Sequence, residues 1–352
     1  MNSDLSNELQ EKVSCANSNK TPLNITAGCS KTFFGHEVDG EKLDVSSHAG
    51  IIGYRASELV ITARSGTKLT DIETALAEQN QQLAFEPPRH TADSTIGGVI
   101  ACGLSGPGRP FQGAARDFVL GAKIINGKGE LMQFGGQVMK NVAGYDVSRL
   151  MVGAQGTLGV LLELSLKVLP KAETETTLAF EINATEGHKR LREWLSDGHP
   201  VTASCHYQGV FSIRLGSTEN SIRDAQKKMG GEVISSDLWQ QLRHQSHPWF
   251  QQKNLWRMSL PPAAAIHDED KQLIEWGGAL RWKVSNNDLF EQAKRLGGHA
   301  TRYTLNTNST KATTSDEIFQ PLQGGMLAIH KRIKYALDPN NILNPARLYK
   351  EL

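Results

Sequence analysis

Four glycine-rich turns, strung in order over the first 160 residues, constrain this chain more than any other feature of its sequence. The first, Ile25-Thr26-Ala27-Gly28-Cys29-Ser30-Lys31, follows a short apolar run and closes at Gly35. The second, Thr95-Ile96-Gly97-Gly98-Val99-Ile100-Ala101-Cys102-Gly103-Leu104-Ser105-Gly106, is preceded by Pro87-Pro88. The third, Ala115 to Gly121, leads into Asn126-Gly127-Lys128-Gly129-Glu130, and the fourth, Lys140 to Leu150, runs on through Val152-Gly153-Ala154-Gln155-Gly156-Thr157-Leu158-Gly159-Val160. Consecutive small residues let backbone N–H groups converge on an anion, as a phosphate-holding nest requires. Their order and spacing predict a domain whose main chain grips its ligand.

Between the turns the chain reads as mixed α and β. Short β-type runs occupy Leu59 to Ala63, Phe118 to Ile125 and Leu158 to Leu169. In the last of them Leu162, Leu164, Leu166 and Val168 alternate with Glu163, Ser165 and Lys167, the pattern of a half-buried strand. Thr70-Asp71-Ile72-Glu73 has the form of a capping box, and the stripe Ile72, Leu76, Leu83 predicts a helix from 71 to about 82. Asn126-Gly127-Lys128-Gly129 predicts a hairpin turn. After Pro170 glycine thins, charged and amide residues rise, and all six tryptophans occur, at 194, 239, 249, 256, 276 and 282. The change predicts a second, smaller α+β domain with amphipathic helices. Met326, Ile329, Ile333 and Leu337 then share one helical stripe, which Asp338-Pro339 ends. The expected organisation is therefore α+β, with domains at 1–170 and 171–324 and a segment, 325–352, that packs back on the first.

Composition narrows the function. Thirty-eight basic and thirty-seven acidic residues, interspersed, leave a net charge of +1, so electrostatics points to no nucleic-acid or other polyanionic partner. Cysteines 15, 29, 102 and 205 have no metal or cluster spacing, and no metal site is expected. There is no G-x-G-x-x-G after a strand, no Walker A sequence and no G-x-S-x-G elbow. Residues 1–13 lack the basic start and apolar core of a secretory signal, and no run approaches the ~18 apolar residues of a spanning helix. The expectation is a cytoplasmic protein, peripheral to the inner membrane through its partners. His244 and His247 lack a third ligand at metal spacing and read as surface histidines. Trp276, Arg281, Trp282 and Arg302 are candidates for a carboxylate pocket, because a guanidinium suits a bidentate carboxylate, although the tryptophans suit a subunit contact equally.

Taken together, the turns resemble the PCMH-type FAD-binding domain of the vanillyl-alcohol oxidase family over residues 20–170. Leu337-Asp338-Pro339-Asn340-Asn341-Ile342-Leu343-Asn344-Pro345 resembles the segment that closes this fold in its D-lactate and glycolate dehydrogenase branch. Gly103-Leu104-Ser105-Gly106-Pro107 and Trp276-Gly277-Gly278-Ala279-Leu280-Arg281-Trp282 are similar to the FAD-binding subunits of glycolate oxidases. The resemblance implies an FAD-dependent oxidoreductase subunit acting on the CH–OH of 2-hydroxy acids such as glycolate. Its implied partners are a larger catalytic flavin subunit and an iron–sulfur subunit that passes electrons to the quinone pool. The alternatives are a stand-alone FAD-dependent oxidoreductase for a hydroxy acid, sugar or alcohol, and a flavin-free scaffold subunit.

The resemblance also assigns residues. Gly28, Cys29, Ser30, Lys31 and Thr32 would hold the FAD pyrophosphate, through main-chain amides, the Ser30 hydroxyl and the Lys31 charge. Pro88, Thr95, Gly97, Gly98, Ala101 and Cys102 would line the flavin where the backbone must come close. Gly159 and Val160 would contact it through main chain, and Asn344 would approach the isoalloxazine. Two departures, Cys29 where the family has another small residue and Gln155 where it more often has Glu, remove no backbone donor. The histidine-rich stretches that position metal or hydroxy acid in single-chain relatives are missing, which points to an electron-relay or supporting role. No histidine sits in the phosphate loop, so the expected FAD is non-covalent.

Overall fold

A computed structural model describes residues 3–136, 146–267, 271–303 and 317–352. The first part of the fourth turn, Lys140 to Tyr145, lies outside the described residues.

Two antiparallel sheets organise the chain, and the expected α+β class is observed. The first has five strands in the spatial order Ile51–Arg55, Val60–Arg64, Val160–Lys167, Val119–Ile125, Leu131–Gly135. Its central strand, Val160–Lys167, is apolar enough to be covered on both faces rather than on one. A bulge explains this. Ile124 pairs with Leu161 while Lys123 pairs with Glu163, so Leu162 is the extra residue and the alternation changes phase there. Leu161, Leu164 and Leu166 pack with Ile72, Ile96 and Ile124, whereas Val160 and Leu162 pack on the other side with Ile125, Leu343 and the N-terminal helix Ser6–Asn19. The predicted hairpin forms: Asn126 Oδ1 accepts from the amides of Lys128 (2.9 Å) and Glu130 (3.0 Å), and Gly129 takes φ +80°.

The predicted helix at 71–82 is shorter and begins earlier, at Leu69–Ala77, after Lys68 and without a side-chain cap. The capping box does not form, because the helix starts at Leu69 and Thr70 lies inside its first turn; Glu73 pairs instead with Arg89 (3.2 Å) and Arg243.

The second sheet has eight strands, in the order Glu232–Ile234, Thr174–Glu181, Val210–Ser217, Val201–Tyr207, Gln272–Glu275, Leu280–Val284, Leu255–Ser259, His299–Arg302. Helices Ala184–Ser196 and Glu219–Met229 cover one end of its outer face through Leu191, Trp194, Ile222 and Ala225. Phe290–Arg295 covers the other end through Phe290 and Ala293. The inner face, with Leu255, Leu273, Leu280, Trp282 and Tyr303, packs on Phe33, Phe34, Cys102 and Leu104 from the glycine-rich half. Polar contacts cross the same seam. Arg214 Nη2 lies 2.6 Å from Glu86 Oε1, both side chains buried, and Glu86 Oε2 accepts from the Gly108 amide at 2.6 Å.

The last helix, Gly324–Leu337, departs from its sequence pattern. Met326 and Ile329 of the expected stripe are 53% and 50% exposed. What seats the helix is Lys334, which is buried and donates to Thr157 O (2.8 Å), Leu343 O (2.8 Å) and Asp338 Oδ2 (2.7 Å). Asp338 in turn accepts from the amides of Ile342 (3.0 Å) and Leu343 (2.8 Å). The chain therefore turns back beside the strand Leu23–Thr26, where Leu23 bridges Leu343.

Candidate functional site: a backbone-lined cavity

The first, second and fourth glycine-rich turns converge on one cavity of about 160 Å³, partly open to solvent; the third turn does not reach it. Its wall is built from residues 24–32, from Thr95, Gly97, Gly98, Ala101 and Cys102, from Gln155, Gly156, Gly159 and Leu161, and from Val45, Ser65, Asn344 and Arg347. The small residues are dictated by packing. A Cβ on Gly28 would stand 1.6 Å from Asp93 O, and one on Gly97 would stand 2.6 Å from Ser65 Cβ. Only hydrogens fit where the loops touch. The Gly97 amide donates to Ser65 O (2.8 Å), and the Ser94 hydroxyl donates to Ser30 Oγ (3.0 Å), so first and second turns are bonded to each other and to the sheet. Thr95 caps the short helix Ile96–Cys102, its Oγ1 accepting from the Gly98 amide at 3.2 Å.

Of the residues assigned to a cofactor from the sequence, the structure brings together on this wall Gly28, Cys29, Ser30, Lys31, Thr32, Thr95, Gly97, Gly98, Ala101, Cys102, Gly159 and Asn344. Pro88 and Val160 are not on it: both are buried in the protein, Val160 beneath the central strand with Leu9, Val13 and Ile125. Asn344 reaches the wall with its amide already engaged. Its Oδ1 accepts from the Ile25 amide (2.7 Å) and its Nδ2 donates to Gln155 O (2.7 Å), so it fastens two loops together instead of presenting a donor.

Arg347 went unremarked in the sequence, where one arginine after a Pro-Ala pair carries no signal. Its guanidinium donates to His36 O (2.5 Å), Thr32 O (3.1 Å), Phe34 O (3.1 Å) and Gln155 Oε1 (3.0 Å). From the cavity wall it thus ties down the carbonyls of the loop that follows the first turn.

The cavity has the polarity of an anion and polyol site. Lys31 is buried, its side chain makes no hydrogen bond or ion pair with any described group, and burial pulls its pKa below the ordinary lysine range. The Thr26 and Ser65 hydroxyls are buried on the wall without partners among the described residues. A buried cation and orphaned hydroxyls are costly unless a ligand completes them. Among the described residues that line it there is no carboxylate, imidazole or phenol.

The substrate-side candidates are not brought together as a carboxylate pocket. Arg281 is buried and spends its guanidinium on the carbonyls of Ala264 (2.6 Å), Ala265 (2.6 Å) and Gly278 (3.2 Å), a structural clamp. Arg302 lies in the edge strand His299–Arg302, opposite Trp256. Trp276 is buried, and its Nε1 donates to Gly106 O at 2.9 Å. His244 and His247 each accept a backbone N–H through Nδ1, from Arg89 and Trp249, at 3.2 Å.

A cavity walled by backbone and small residues, with a buried lysine on its wall, is the site of a cofactor-binding domain, and the comparisons with known proteins give the class as FAD-binding oxidoreductases. Residues 5–135 match the FAD binding domain family. Over 354 residues, 99% of both chains, the protein is 46% identical to glycolate oxidase subunit GlcE of Escherichia coli (strain K12). It is 37% identical over 121 residues, 34% of this chain and 25% of the other, to glycolate oxidase subunit GlcD of Bacillus subtilis (strain 168). Among solved structures, an alkyldihydroxyacetonephosphate synthase shares the fold, with a TM-score of 0.67 at 14% identity over 97% of this chain and 76% of that one. The chain belongs to the glycolate oxidase subunit GlcE family, and FAD is its cofactor.

Proposed function

We propose that this chain is the FAD-carrying subunit of a glycolate oxidase complex that oxidises glycolate to glyoxylate. In this reading a larger GlcD-like subunit carries out substrate chemistry, and an iron–sulfur partner passes electrons to the quinone pool. The domains divide near residue 170, and 325–352 returns to the first. The observation that carries the reading is the cavity itself: backbone from three distant turns, a buried lysine without a partner, and unsatisfied Thr26 and Ser65 hydroxyls on one wall.

Bound FAD supplies reversible two-electron and one-electron redox chemistry. The chain's own residues bind and orient it. The amides of the Gly28–Thr32 loop and the Lys31 side chain would hold the pyrophosphate, and the Thr26 and Ser65 hydroxyls would take polar groups of the cofactor. Gly97, Gly98, Ala101 and Cys102 supply the close backbone wall. Attachment is non-covalent.

Oxidising a 2-hydroxy acid requires a base for the hydroxyl proton. Among the described residues the lining offers no carboxylate or imidazole, which favours electron relay in this subunit over hydride abstraction. Membrane association comes through partners; among the described residues no helix is long and apolar enough to cross a bilayer. Affinity purification of the tagged chain from its native cell tests the proposal. A second, larger flavoprotein and an iron–sulfur polypeptide co-eluting with glycolate-to-quinone activity are expected. Full glycolate turnover by the isolated chain contradicts the relay reading and favours a stand-alone oxidase.

A further inference from the structure

The Trp276-Gly277-Gly278 turn does more than connect two strands. All three residues sit at positive φ, +57°, +62° and +97°, and for a bulky side chain that conformation is strained and persists only where its surroundings fix it. Here the Trp276 Nε1 bond to Gly106 O and the Gly277 amide bond to Ser204 Oγ (3.0 Å) hold it. The indole so placed carries two guanidinium groups. Arg109, from the glycine-rich half, has its Cζ 4.5 Å from the ring centroid, and Arg257, from strand Leu255–Ser259, has its Cζ 5.0 Å away. Arg257 also lies 6.0 Å from the Trp282 ring.

Both arginines are half-buried, and neither makes a hydrogen bond or ion pair with any described group. Arg116 and Asp117 face Arg109, Tyr303 and Glu275 face Arg257, and His299 faces both. Among the described residues, the carboxylate that faces Arg257 is Glu275, which accepts from Trp282 Nε1 at 2.8 Å and is held toward its neutral form by burial. Two cations stacked on one ring repel each other, and among the described residues neither is gripped by the hydrogen-bonded carboxylate that normally accompanies a desolvated arginine, Asp117 only facing Arg109 at longer range. An anion bound beside the indole resolves both deficits, and a guanidinium prefers a planar carboxylate, which it grips with two parallel bonds.

We propose that Arg109 and Arg257, seated on Trp276, form a receptor for a small carboxylate of the 2-hydroxy or 2-oxo acid class, outside the cofactor cavity. The acid class rests on the glycolate oxidase reading, while the receptor geometry does not. Ring contacts from Trp282 to Tyr303 (5.0 Å) and on to Phe33 (5.2 Å) and Phe34 (5.4 Å) connect the receptor to the cofactor loop. Trp276 joins the two halves of the chain, so the bound acid also bridges them.

The test is calorimetric titration of the full chain, with and without FAD, using glycolate, the neutral analogue glycolamide, and sulfate. One glycolate per chain is expected, with no detectable glycolamide binding and weaker sulfate binding. Arg257→Gln and Arg109→Gln should each weaken glycolate at least about tenfold, the size of one lost charged contact, with unchanged circular dichroism and flavin content. Arg257→Lys, which keeps the charge but not the fork, should lie between. Glycolate affinity unchanged in both glutamine variants overturns the proposal, as does equal binding of glycolamide, whether or not the variants fold. Equal affinity for sulfate overturns the carboxylate class. Flavin occupancy, read from the visible spectrum of the same samples, reports separately on the FAD assignment.

Discussion

The backbone-lined cavity and the inner face of the eight-stranded sheet meet at Phe33, Phe34 and Cys102, yet they are built from different materials. The cavity is made by close backbone approach, enforced by glycines whose missing Cβ atoms would collide with Asp93 and Ser65. The inner face is made by large side chains, among them Trp276, Trp282 and Tyr303, and it buries charge as well: Arg214 with Glu86, Glu275, and the pair Arg109 and Arg257. A backbone-built site fails by steric intrusion. A side-chain-built surface fails by uncompensated charge.

Four substitutions sharpen that contrast. Gly28→Asp has the largest expected effect: its Cβ would meet Asp93 O at 1.6 Å, and its carboxylate would repel a pyrophosphate. FAD affinity should fall at least about a thousandfold, read by flavin fluorescence titration, and unchanged affinity would misplace the loop. Arg214→Met comes next. It leaves Glu86 buried without its cation and should cost about 3 kcal/mol in urea unfolding, while Glu86→Gln in the same chain should recover most of the loss. No recovery would show that the pair is not coupled.

Glu275→Gln probes pH. Burial raises the Glu275 carboxyl to about 7 from an ordinary 4.5, against the opposing Trp282 hydrogen bond and Arg257 charge. The folded protein therefore holds that proton more tightly than the unfolded chain, and the resulting stability, complete below about pH 4.5, is lost as pH rises through about 7. The variant lacks this loss, so its stability relative to the natural protein should climb by about 2 kcal/mol between pH 5 and 8. Parallel curves would contradict it. Arg281→Lys should have the smallest effect, about 1 kcal/mol of stability from lost carbonyl bonds, with glycolate affinity unchanged. A marked loss of glycolate affinity would return Arg281 to the binding site.

The contrast also explains what was legible in the sequence. Gly28, Gly97 and Gly98 stand out because a backbone-lined cavity demands small residues locally, turn by turn. The strands around them showed as apolar runs, whereas the N-terminal helix, which buries Leu9, Val13 and Ala16, was not read from the sequence. The phase change at Leu162 was hidden, since a bulge is fixed by the partner strand. The exposure of Met326 and Ile329 was hidden for a similar reason: the pull of Lys334 on Thr157 and Leu343 depends on groups far away in sequence. Arg257 and Arg109 could not be paired by spacing, because they meet only across the two halves, on a tryptophan 19 residues from one and 167 from the other. Arg281, beside that tryptophan in sequence, was the natural choice, and the turn directs it to carbonyls instead.

The most direct test of the account is the binding stoichiometry and release of flavin. Apo-protein titrated with FAD should quench flavin fluorescence to an end point of one FAD per chain, and acid precipitation should return all of the yellow cofactor to the supernatant. A chain that takes up no FAD, or a pellet that stays yellow after denaturation, would contradict a cavity that holds its cofactor through main-chain amides, Lys31 and hydroxyls alone.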